Sequence, residues 1–276
     1  MKRREYLALA GGLGAATAGC AVRAPGVTEA GSGAGGTAGD GAGETVGDGA
    51  APALAATGTP PDICQRPINP EAGIPAILEP AFAPDWDAHD IGVAYQHYRQ
   101  GPHLVADQPV IGVAWDGGAR AYPITVLLHH EVVNDTAGEP LLVTYCPLCR
   151  SGMVAARRVG GEVTRFAVTG QLWRPERIAV GASQQDGSVF GVSYAGETGD
   201  VRANANLVLY DAASGSYWSQ LLARAICGPL SGTDLAIRPS RVATWADWRA
   251  SHPETEVLLP PPHSRTVEPG AVLGGE

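Results

Sequence analysis

The sequence predicts a mostly β fold of the α+β class, in which antiparallel hairpins form a sheet or barrel-like core with one or two short helices. Three observations predict it. Three pairs of apolar or aromatic runs are each joined by turn residues, one short apolar run reads as a buried strand, and one helix alone is well signalled at its start and stop. No internal repeat is visible, so a solenoid or propeller is not expected.

The first hairpin is the clearest. Residues 110–115 are apolar, Asp116-Gly117-Gly118 is turn chemistry, and 119–122 return. Pro123 ends the second strand or marks it as an edge. Residues 125–133 read as a short helix with His129 and His130 near its end, and 135–140 as a turn. Residues 141–145 are a buried strand that delivers Cys146. A second hairpin follows, with 153–159 and 162–168 joined at Gly160-Gly161, and a third joins 206–210 to 216–220 across 212–215. The signalled helix starts at Thr244 as N-cap, carries Asp247 three residues on, and stops at His252-Pro253. Trp115, Tyr122, Tyr145, Trp218, Trp245 and Trp248 are read as core and sheet packing.

Ahead of this domain the chain reads differently. Lys2, Arg3 and Arg4 precede a short Ala/Gly/Leu run that is too short and too glycine-rich to span a bilayer. Arg3-Arg4 followed by Tyr6-Leu7 resembles a twin-arginine export signal, and Thr17-Ala18-Gly19-Cys20 resembles a lipobox whose cysteine is lipidated. Residues 1–20 are therefore expected to be a lipoprotein signal, with the protein anchored to the outer face of the cell membrane through Cys20. Residues 21–60 are Gly, Ala, Ser, Thr and a few acids, which cannot bury enough apolar area to offset ordering entropy, so a flexible tether is expected. One domain is expected over 62–267, with an insertion at 171–205 and a frayed tail at 268–276.

The formal charge of −9 argues against a nucleic-acid partner, because no basic stripe is present to neutralise phosphates. Only Lys2 among the 19 basic residues is lysine. Arginine in place of lysine, with excess acid, fits a salt-adapted surface of the haloarchaeal kind and fits GC-rich codon bias equally.

Once Cys20 is set aside, Cys64, Cys146, Cys149 and Cys227 remain of the five cysteines. Cys146-Pro147-Leu148-Cys149 is the sharpest feature, and three readings compete for it. As a redox pair, one cysteine exchanges with a thiol or disulfide partner protein and the other resolves; the attacker is the more exposed sulfur, taken by analogy as Cys146. Arg150 adds positive charge that favours thiolate. As half of a zinc or copper site, the pair needs ligands from His129, His130, Cys64 or Cys227. As a structural feature, it is a disulfide or a buried apolar spot. Gly152 and the β-like run after it argue against a thioredoxin fold, whose pair opens a long helix. Cys64 and Cys227 are candidates for an ordinary disulfide in an oxidising exterior.

Residues 128–135 concentrate functional side chains. A histidine near Cys146 would lower its pKa or act as general acid–base. Adjacent helical residues point about 100° apart, so at most one of the two faces a site. His130, followed by Glu131, is the choice. The alternative is a capping network in which Asn134 and Asp135 make the next turn and one histidine is a satisfied core residue.

The motifs 119–123, 130–135, 144–149 and 217–220, with Thr244-Trp245 and His252-Pro253, occur in an order that resembles the domain of unknown function 3179 family over about 109–259. Some proteins of that family carry selenocysteine at the position of Cys146, so the resemblance implies a redox or nucleophilic role for Cys146. Two positions depart from the pattern: Arg150 stands where a small residue is usual, and His129 where an apolar one is expected.

Overall fold

The structure is a computed structural model and describes residues 62–96, 101–147, 149–173 and 206–273. The expected export signal, Cys20, the tether and most of the 171–205 insertion lie outside the described residues.

The order of strands and helices explains how the chain builds its layers. β1 (Ala76–Glu79) and β2 (Ala81–Ala83) lead to the hairpin of β3 (Pro109–Trp115) and β4 (Gly118–Pro123). α1 (Ile124–His130) follows, then β5 (Val132–Ala137), β6 (Glu139–Cys146) and β7 (Ser151–Ala156). The short β8 (Arg158–Val159) and β9 (Glu162–Val163) precede β10 (Phe166–Trp173). β11 (Asn206–Asp211), β12 (Tyr217–Ser219) and β13 (Arg224–Cys227) come next. β14 (Arg241–Thr244), α2 (Trp245–Ser251), β15 (Glu256–Leu259) and β16 (Arg265–Val267) complete the order.

The main sheets run β16-β1-β5-β6-β7, β14-β3-β4-β15-β2 and β10-β11-β12-β13, and none closes into a barrel. The fold is mostly β with two α-helices among the described residues, as expected.

Alternation along β6 shows how the layers stack. Leu141 and Val143 enter a core with Ile111, Tyr122, Leu127 and Trp248, whereas Leu142 and Cys146 enter a second core with Phe166, Leu209 and Trp218. The sheet containing β6 is thus covered on both faces, which is why 141–143 reads as an unbroken apolar run rather than an alternating one. Gly112 on β3 lets the Trp248 indole lie against the strand; a Cβ there would collide with the ring.

Several expectations are corrected. α1 ends at His130, so Val132 and Val133 are strand, and Glu131 in the left-handed region (φ 55°) turns the chain from helix into β5. Asn134 and Asp135 are not turn residues; the β5–β6 turn sits at Gly138. Asn134 instead ties two sheets together, exchanging bonds with the Phe166 amide (2.7 Å) and carbonyl (2.8 Å). Pro123 ends β4, which is an interior strand between β3 and β15. Gln171 and the backbone of 172–173 continue β10. The expected hairpin at Gly160-Gly161 is only β8–β9, and its flanking strands β7 and β10 belong to different sheets. Residues 268–273 are not frayed: Val272 is buried in the second core and the Gly270 amide donates to the Tyr210 hydroxyl (2.8 Å).

Cys64 and Cys227 form a disulfide with an S–S distance of 2.05 Å, beside buried Ile63, Val208 and Ile226.

Candidate active site

β6 and β7 pair to their ends, with Cys146 opposite Ser151, so the intervening residues form a tight hairpin loop. Arg150 closes it at φ 49°, a left-handed conformation that favours glycine; a small residue is the cheaper choice there. Within the loop Cys146 and Cys149 are disulfide-bonded, and the Cys149 amide donates to Cys146 Sγ (3.1 Å). An N–H aimed at sulfur favours its anionic form when the bond is reduced.

The two sulfurs differ in access. Cys146 is 1 % exposed and sits inside the second core, whereas Cys149 is half-buried at that core's margin and Arg150 is exposed. The expectation that Cys146 is the more exposed sulfur is corrected. Period-two alternation puts Cys146 on the same face of β6 as Leu142, and residues of β10 to β12 cover that face.

A polar network anchors the hairpin. The Ser151 hydroxyl donates to Gln220 Oε1 (3.0 Å), and Gln220 Nε2 donates to the Ser151 carbonyl (3.2 Å) and the Thr144 hydroxyl (3.4 Å). Gln220 is buried, and it fixes the strand beside the cysteines from a different sheet layer. Its role was missed in the sequence, where 216–220 read as a returning strand and 217–220 as a motif of the family resemblance, with no contact to the cysteines assigned. The signals available are a glutamine at the end of an aromatic strand and its place in the 217–220 motif.

The histidines are engaged elsewhere. His130 Nδ1 lies 2.8 Å from the Pro75 carbonyl and Nε2 lies 2.8 Å from the Tyr95 hydroxyl. A carbonyl only accepts, so Nδ1 carries the proton and Nε2 accepts from Tyr95. Burial lowers the His130 pKa, which keeps this neutral tautomer. His129 is exposed and meets the Tyr95 ring edge-on at 5.3 Å. His130 therefore behaves as the satisfied core histidine of the alternative reading. Among the described residues no group of three or more His, Cys, Asp or Glu side chains is gathered as a metal site, so the expected set of Cys146, Cys149, His129 and His130 does not converge.

Glu131 stands apart. Its carbonyl accepts the Tyr145 amide (2.9 Å), which places it across from the residue preceding Cys146. Its side chain is 6 % exposed, and burial raises its carboxyl pKa from 4.5 to about 7. In the unfolded chain the group ionises near 4.5, so the folded state binds the extra proton between these values. Stability is then full below about pH 4.5 and falls as pH rises through about 7, by on the order of 3 kcal/mol. Glu131→Gln is expected to flatten that dependence, so that the variant is the more stable protein at about pH 8. Urea midpoints at about pH 5 and pH 8 check this; equal pH dependence in both proteins contradicts it.

Arg120 and Tyr122 of β4 meet Asp135 of β5. Arg120 Nη1 donates to Oδ1 (2.6 Å) and the Tyr122 hydroxyl to Oδ2 (2.5 Å). Two of the motifs that carry the family resemblance thus meet in one buried contact.

No curated protein and no solved structure matches the chain. A family match extends over residues 71–191 and 188–269, wider than the motif-bearing 109–259, and takes in both β1 and β16 of the sheet that carries the cysteine hairpin. It covers more than half of the sequence, and the chain accordingly belongs to the family described as Protein of unknown function (DUF3179).

Proposed function

We propose that this protein is a thiol–disulfide oxidoreductase, exported through its twin-arginine signal and held on the outer face of the membrane by lipid on Cys20. The observation that carries the redox reading is the asymmetry of the Cys146–Cys149 pair: a half-buried Cys149 sulfur is joined to a buried Cys146 sulfur that receives an amide hydrogen bond. Two disulfides in one domain also fit an oxidising compartment. No described helix is long and apolar enough to cross a membrane, so the lipid would supply the anchor.

In this reading a partner thiolate attacks Cys149 Sγ. The Cys149–Cys146 bond breaks and its electron pair leaves on Cys146, where the Cys149 amide stabilises the thiolate; a better-stabilised leaving group departs faster. A second partner thiolate then attacks the partner's own sulfur in the mixed disulfide and releases Cys149. The partner dithiol is oxidised to a disulfide, the pair is reduced, and the two protons lost by the partner end on Cys146 and Cys149. Reduction of a partner disulfide is the same exchange reversed, with Cys149 attacking and Cys146 resolving.

The test uses oxidised glutathione and mass spectrometry. Cys146→Ser leaves Cys149 alone and is expected to form a stable glutathione adduct. Cys149→Ser is expected to react at least about tenfold more slowly, because its remaining sulfur is covered. Equal rates would reverse the assignment of Cys149 as attacker. A wild-type pair that dithiothreitol cannot open in the folded protein would leave a structural disulfide and end the redox reading.

A further inference from the structure

β7 is an edge strand, and only part of its edge is covered. The Ala156 amide donates to the Ala236 carbonyl and the Arg238 amide to the Val154 carbonyl, each at 2.8–2.9 Å, with Ala155 bridging Ile237. The chain then leaves the strand at Pro239. Alternation means that residues 152, 154 and 156 all turn their polar groups outward. Gly152 therefore offers an N–H and a C=O that, among the described residues, no backbone group meets. Beside it lies a pocket of about 210 Å³ lined by Met153, Gln220, Leu221, Ala223, Ile237 and Ser240. Leu221 and Ile237 are 56 % and 62 % exposed, so both leave apolar surface in the pocket wall open to solvent. Gly152 follows Ser151, the residue paired with Cys146, and Gln220 belongs both to the pocket wall and to the network that fixes Ser151.

We propose that the Gly152 edge and its pocket bind an extended polypeptide segment of the protein whose cysteine exchanges with Cys149. The segment adds to β7 as a short strand and seats an apolar side chain between Leu221 and Ile237. The proposal rests on the redox reading for its purpose, but the binding is separable from the chemistry. An unsatisfied strand edge is complemented by peptide backbone, and an exposed aliphatic pair by an aliphatic side chain. One residue's rise along the strand separates this edge from the Ser151–Cys146 pair, so a bound segment would carry a nearby cysteine to the hairpin loop.

The experiment uses the folded protein in its disulfide form and four synthetic decapeptides. The first carries one cysteine flanked by Val, Ile and Leu, the second a cysteine flanked by Gly and Ser. The third is the first with serine for cysteine, and the fourth is the third with alternate amides N-methylated. Binding of the third and fourth is read by fluorescence anisotropy, and exchange of the first two by mixed-disulfide formation at Cys149. The apolar serine peptide is expected to bind, and N-methylation or Ile237→Glu to weaken it at least about tenfold. The apolar cysteine peptide is expected to exchange about tenfold faster than the Gly/Ser one, an advantage lost in Ile237→Glu while the Gly/Ser rate is unchanged. Because Ile237 is exposed, that variant is not expected to disturb folding; Leu221→Glu provides a second, independent one. Exchange of both cysteine peptides at equal rates, without binding of the serine peptide, overturns the docking site and leaves the redox reading standing. Binding without exchange supports docking and overturns the redox reading. Binding that survives N-methylation overturns strand addition.

Discussion

Asp135→Ala is expected to destabilise the fold by about 3–5 kcal/mol, the range for removing one partner of a buried charged pair. Asp135 is 3 % exposed and is the shared acceptor of Arg120, Tyr122 and the Thr136 amide. Burial first, and the carboxylate second, hold the Tyr122 hydroxyl protonated, so it is a donor with nowhere else to go. Arg120 has little in reserve. Its Nε is buried and makes no hydrogen bond, since Glu256 at 3.6 Å is an ion-pair neighbour only. Its guanidinium also lies 3.9 Å above the Phe82 ring, a contact that depends on Asp135 holding it there. Tyr122→Phe removes one neutral donor and leaves the carboxylate with two, so a loss of only about 1 kcal/mol is expected. Asp135→Asn falls between, because its amide oxygen still accepts one bond. Urea unfolding measures the series. A loss below about 1 kcal/mol for Asp135→Ala would mean that the charge is already solvated and that this contact does not hold β4 to β5.

That contact also shows why the sequence was only partly legible. Asn134 and Asp135 have turn chemistry, and local preference alone placed a turn there. Tertiary partners override it: Arg120 and Tyr122 for one residue, the Phe166 backbone and Ile77 carbonyl for the other. The β3–β4 hairpin was legible because its Asp116-Gly117 turn and apolar alternation agree locally. α2 was legible because the Thr244 side chain does accept the Asp247 amide, at 3.1 Å. β1, β2 and β13 to β16 are only three or four residues long and carry no local signal; the parallel pairings β1–β5 and β4–β15 join segments remote in sequence. At the cysteine site the hairpin position was readable from motif and turn, whereas the burial of Cys146 depends on a second sheet lying over β6. The engagement of His130 depends on Tyr95 and Pro75, which no spacing within the histidine motif could reveal.

Removing the second disulfide has the other large expected effect. Cys64 and Cys227 are separated by 163 positions, so their bond closes most of the domain into one loop. Constraining so long a loop in the unfolded chain is worth about 5 kcal/mol on the entropic argument, and measured losses on removing native disulfides run about 2–5 kcal/mol. The upper part of that range is expected here, because the folded state holds the segment by two other means and so gains no freedom that would offset the unfolded chain's gain. Ile63 is fully buried against Val208 and Ile226, and the Arg66 carbonyl accepts the Tyr217 hydroxyl at 2.9 Å. Those contacts keep the first described turn docked without changing the unfolded chain's freedom. Cys64→Ser/Cys227→Ser should therefore lose stability with little change in fold, while Ile63→Ala in the disulfide-bonded protein should lose about 2–5 kcal/mol by leaving a cavity. Glutathione exchange at Cys149 should be unchanged in the double serine variant, since the two disulfides lie in different clusters. A double variant within about 1 kcal/mol of the parent would mean that the unfolded chain is already restricted in this region. An altered rate at Cys149 would mean that the two disulfides are coupled through β12 and β13, the strands that join Gln220 to Cys227.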